Sequence, residues 1–138
     1  MNARMIRESL LLVTLIFGGV LSGQASAQAT SFRARLSPLP VSGQTVRTIT
    51  GVGQVRATLA GRRLTVTGSY SGMNSPATAA HIHVGPAGRP GPVAQSLTVT
   101  NAASGEISGA VDLTDEQVAA LRSQSLYVQI HSEGNPAG

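Results

Sequence analysis

From about Thr30 onward the chain is written in short stretches where apolar and polar side chains alternate, separated by Gly, Pro, Ser and Asn. Alternation with a period of two sends successive side chains to opposite faces of a strand. Many such stretches with turn residues between them predict an all-β, antiparallel β-sandwich of the immunoglobulin-like or superoxide-dismutase-like kind. Phe32, Ala34 and Leu36 alternate with Arg33 and Arg35 in an opening strand, which the segment Pro38 to Gly43 ends. Val55, Ala57 and Leu59, then Leu64, Val66 and Tyr70, form two alternating rows around Gly61-Arg62-Arg63 and predict a β-hairpin. Further strands are expected over Val93 to Thr100 and Gly105 to Val111. One short helix precedes the last strand. Thr114 and Gln117 have the spacing of a capping box, Asp115 and Glu116 suit the positive end of the helix dipole, and Leu113 and Val118 suit a hydrophobic staple.

The chain's three histidines fall in two of these alternating stretches. In Ala79-Ala80-His81-Ile82-His83-Val84 the apolar set Ala80, Ile82 and Val84 takes one face, so His81 and His83 share the other, on the outer surface or beneath a loop. In Leu126-Tyr127-Val128-Gln129-Ile130-His131 the same rule puts His131 with Tyr127 and Gln129, opposite Leu126, Val128 and Ile130. Adjacent strands would bring the three imidazoles together. Neutral imidazole ligates both zinc and copper, and three protein ligands leave a position for water. His81, His83 and His131 are therefore the candidate metal ligands. A His-x-His pair equally suits hydrogen bonds to loop carbonyls that fix the Gly/Pro segment, and both readings stay open.

Composition narrows the field. There is no cysteine, which removes disulfides, thiolate metal sites and thiol redox chemistry. The net charge is +4, but the arginines are scattered and aromatics make up only 3% of the chain. A nucleic-acid groove needs clustered cations with stacking platforms, so nucleic acid is not expected as a partner. The few carboxylates (Glu106, Asp112, Asp115, Glu116 and Glu133) show no pairing, and no Ser/His/Asp arrangement is present. A non-enzymatic protein is expected, with a metal-dependent oxidoreductase at the histidines as the remaining alternative. The Gly85 to Pro92 stretch is too short for a collagen helix and lacks the Lys-Ser/Thr of a phosphate loop, so it reads as a stiff connection.

The N-terminus has the layout of a secretory signal: Arg4 and Arg7, an apolar run from Leu10 to Leu21, then Ala25-Ser26-Ala27 or Ala27-Gln28-Ala29. The apolar run falls short of the roughly 20 residues needed to span a bilayer. Residues 1–29 are thus expected to be a signal peptide cleaved after Ala27 or Ala29, leaving one domain over 30–138, secreted or periplasmic, with no membrane span after cleavage. No cysteine follows the run to carry a lipid anchor.

The histidine-bearing segments also carry a family resemblance. Pro76 to His83, Gly85-Pro86-Ala87-Gly88 and Gly91-Pro92-Val93 resemble the central signature of the CHRD (chordin-type) domain, and Leu126 to His131 with Asn135-Pro136 resembles its C-terminal half. The resemblance extends over nearly all of the expected mature chain. It implies an extracytoplasmic β-sandwich, as in the animal antagonist chordin and in bacterial secreted proteins, and does not imply an enzymatic activity; with no catalytic constellation evident, a module that binds an unknown protein or extracellular ligand is the leading expectation. The alternative function is a mononuclear copper or zinc protein using the three histidines. The His-x-His strand also invites comparison with copper/zinc superoxide dismutases, but three histidines do not supply a two-metal set. Members of the family continue after the Asn-Pro turn with a Gly-Glu-Ile-Arg-Gly-like strand that is not found here, so the sequence is expected to be a fragment or, alternatively, to lack its final strand. A sheet edge left open that way can pair with another chain, a second copy included.

Overall fold

A computed structural model describes residues 28–39 and 42–138. Nearly all of the expected signal segment therefore lies outside the described residues. Seven strands and one helix follow in order: β1 (Thr30–Leu36), β2 (Val52–Ala60), β3 (Arg63–Ser71), β4 (Ala77–Val84), β5 (Val93–Val99), β6 (Gly105–Asp112), α1 (Asp115–Arg122) and β7 (Leu126–Ser132). Every pairing is antiparallel, and the strand order is β1-β2-β3-β6-β5-β4-β7. The predicted all-β architecture with a short helix before the last strand is what the chain adopts. The sheet curls into a half-barrel.

The curl turns on β5. Its first part pairs with β4 (Ala80 opposite Leu97, Ile82 opposite Gln95), while Thr98 and Val99 pair with β6. A strand that hands over from one partner to another makes the corner between two sheet halves. Gly109 permits the corner, because a Cβ there would lie 2.6 Å from the Leu97 side chain. Leu97 instead packs over β6 and joins the core.

That core is the inner row the alternation marks. Val55, Leu59, Leu64, Val66, Tyr70, Ala80 and Ile82 are buried, together with Ala77, Leu97, Ile107 and Leu113. Phe32, Leu36, Leu126, Val128 and Ile130 complete it from the strands at the two ends of the sheet. The β2–β3 hairpin is in register from Val52 opposite Ser71 to Ala60 opposite Arg63, and Gly61 turns it with φ +60°.

α1 begins where the sequence places it. Thr114 accepts from the Gln117 backbone N–H at 3.2 Å, and the Gln117 side chain accepts from the Thr114 N–H at 3.1 Å. The helix lies over the end of the curl, with Val118 and Leu121 against the core but no residue fully buried. It carries the chain from β6, past β5 and β4, to β7 at the far edge. That crossing places the third histidine beside the first two.

Candidate metal centre

β4 and β7 are neighbours, with Ala79 opposite His131, His81 opposite Gln129 and His83 opposite Tyr127. Residues 79, 81 and 83 share one face of β4, as 127, 129 and 131 share the matching face of β7, so three imidazoles and one phenol meet on a single surface. Ring centroids are 4.8 Å apart for His81 and His131, and 5.8 Å for each of the other two histidine pairs. One nitrogen from each ring lies within 4.8 Å of the other two.

Hydrogen bonds decide which nitrogen each ring presents. His83 Nδ1 lies 2.8 Å from the Gly91 carbonyl oxygen. A carbonyl only accepts, so Nδ1 carries the proton and Nε2 of the neutral ring keeps its lone pair. His131 Nδ1 lies 3.0 Å from the Pro136 carbonyl, which fixes the same tautomer. Its Nε2 accordingly accepts from His81 Nδ1 across 3.0 Å. Metal-ligating histidines commonly donate their second ring N–H to a backbone carbonyl in this way, which fixes the tautomer and orients the ring.

His83 is the most constrained of the three. It is 5% exposed, where the alternation alone allowed a fully outward position, because the Gly/Pro segment folds over it. Tyr127 stacks on its ring with centroids 5.1 Å apart and planes 13° from parallel. The Tyr127 hydroxyl accepts from the Gly91 N–H at 3.0 Å, so Gly91 is tied to both rings of the stack. Gly91 has no room for a side chain: a Cβ would run into the Val84 carbonyl oxygen. With Nδ1 satisfied, His83 Nε2 is left buried without a hydrogen-bond partner. A buried polar nitrogen of this kind costs about 1–3 kcal/mol unless something pairs with it.

His81 is partly exposed. Burial, and then the neighbouring His131 and His83 rings, hold its pKa below the ordinary histidine value. The ring is thus neutral at neutral pH, the form that donates a lone pair. A tetrahedral ion with bonds of about 2.0–2.1 Å separates its donors by about 3.3–3.4 Å. The 3.0 Å His81–His131 separation lies just inside that value, and the 4.8 Å outer bound of the cluster lies beyond it. No carboxylate belongs to this group among the described residues.

The sequence reading named all three histidines and their common faces, and the sheet order supplies the adjacency it lacked. It placed Tyr127 on the histidine face without assigning it a part, and it gave none to Gly91 or Pro136. Tyr127 had a signal, since it lies four residues before His131 on the same side of a strand. The two backbone carbonyls had none, because any residue offers one. Among the described residues no helix is long and apolar enough to cross a membrane.

Comparison with known proteins gives one positive finding. The family model described as the CHRD domain matches residues 32–138. No curated protein matches the chain. No solved structure matches it either. The matched residues run from β1 through the three histidines to the C-terminal segment that holds His131, and on this match the chain belongs to the CHRD domain family.

Proposed function

We propose that this chain is an extracytoplasmic, non-enzymatic binding module, exported by a signal segment over residues 1–29. Its ligand is a single copper or zinc ion held by His81 Nδ1, His83 Nε2 and His131 Nε2. The observation that carries the reading is the buried, unpartnered Nε2 of His83 facing no competing hydrogen bond while its Nδ1 is held by Gly91. An ion there satisfies the nitrogen that nothing else in the described structure satisfies. The Pro136 carbonyl supports the reading by presetting His131 in the same tautomer. His81 would ligate through Nδ1 in its other tautomer, with the Nδ1 proton lost to solvent and one taken up at Nε2.

No carboxylate joins the cluster among the described residues, and three imidazoles would leave a fourth position on the ion for water. Imidazole alone does not choose between copper and zinc; by the general affinity order Cu²⁺ outranks Zn²⁺ at a nitrogen site. The test is metal analysis of tag-free protein purified from the cell envelope, followed by titration of metal-stripped protein with copper and with zinc. One equivalent bound, and at least a tenfold weaker affinity in His83→Ala and in His131→Ala, is the expected result. Protein that takes up neither ion tightly, or variants that bind as well as the parent, would overturn it.

A further inference from the structure

The half-barrel has two ends, β1 and β7, and they do not pair with each other. Beyond the β1–β2 ladder, no backbone hydrogen bond from Thr30–Leu36 exists among the described residues. Among the described residues β1 therefore presents one row of N–H and C=O groups without backbone partners. Between its inner face and that of β7 runs an apolar seam of about 460 Å³, walled by Phe32 and Ala34 on one side and by Leu126 and Val128 on the other, with Val66 and Ile82 in its floor. Free backbone groups beside an apolar trough are the two requirements of a site that accepts an added strand.

The outer face of the same edge carries a second, independent feature. Arg33 lies directly opposite Arg56 on β2, and Arg35 stands two residues along on the same face. All three are exposed. None makes a hydrogen bond or an ion pair among the described residues, in contrast to Arg62 and Arg63, which face Asp115 and Asp112. Like charges directly across a strand pair are destabilising. A segment laid along β1 would bring its outward residues beside Arg33 and Arg35, and its inward ones over the seam.

We propose that β1 is an acceptor edge for an extended segment of a partner protein, one whose residues alternate between acidic and apolar. Main-chain hydrogen bonds to β1 supply the adhesion. Apolar side chains two apart fill the seam beside Phe32 and Ala34, and carboxylates two apart neutralise Arg33 and Arg35 and shield Arg56. The assignment is separate from the histidine cluster and does not depend on its binding a metal.

A fluorescently labelled peptide, Thr-Val-Asp-Val-Glu-Val-Thr blocked at both ends, tests it on the purified chain. The expected result is saturable binding that protects the amides of residues 30–36 from hydrogen exchange. The doubly charge-reversed variant Arg33→Glu/Arg35→Glu, folded by circular dichroism, should bind about tenfold more weakly. Affinity should return when Lys replaces both acids of the peptide. No binding, equal binding of a scrambled peptide, or protection confined to other strands would refute the proposal. So would a dimer of the chain itself that the charge reversal dissolves, or attachment to phosphatidylglycerol vesicles without peptide binding. Those two outcomes would assign the arginine face to a second copy and to a membrane surface, respectively.

Discussion

Gly91 acts on the candidate centre through its two backbone groups at once, holding Tyr127 with its N–H and His83 with its carbonyl. Replacing it with Ala forces a methyl group against the Val84 carbonyl, and overpacking of that sort costs about 1–3 kcal/mol. Gly91→Ala is therefore expected to lower the unfolding free energy by that amount in a denaturant titration, and to weaken metal binding with it. Tyr127→Phe removes only the hydroxyl acceptor and keeps the stack. It should cost about 1 kcal/mol in the same measurement, with little change in the bound metal. Strand alternation made the face of each histidine legible from sequence. It could not show that His83 is buried, because that depends on a loop returning eight residues later to cover it. Nor could it show the bond from His131 to Pro136, which rests on the path of an irregular segment.

Among the elements, α1 was the most legible, since its start is set by local chemistry: a hydroxyl at the cap, a side-chain amide three residues on, and acids in the first turn. Thr114→Ala removes the acceptor for the Gln117 N–H and should cost about 0.5–2 kcal/mol of stability. Leu113, fully buried just ahead of the cap and tied to the hairpin turn by its N–H to the Arg62 carbonyl at 2.9 Å, matters more. Leu113→Ala should cost about 2–5 kcal/mol, because it opens a cavity at the joint between α1 and the sheet. Guanidinium unfolding of the two variants ranks them, and a Thr114→Ala effect larger than that of Leu113→Ala would contradict this division between cap and core. β5 was legible as a strand but not as the corner of the sheet. Its change of partner after Leu97 follows from the lack of a side chain at Gly109, a contact between strands that pattern within one strand does not encode.

Across the whole molecule the two sequential runs β1–β2–β3 and β4–β5–β6 meet through the β3–β6 pairing, and β7 closes against β4 only after the helical crossing. That order has two consequences. Among the described residues it leaves β1 unpaired along one side, and it juxtaposes His81 with His131 although fifty positions separate them. Neither could be derived from spacing, because strand order is a property of the assembled core; the family resemblance anticipated the sandwich and left the histidine chemistry open. The central claim is that these three rings close on one ion. X-ray absorption at the metal edge of the copper- or zinc-loaded protein tests it most directly. The account predicts three imidazole shells with nitrogen at about 2.0–2.1 Å, reduced to two in His83→Ala. A first shell of oxygen without imidazole scattering, or one unchanged by removing His83, would contradict it.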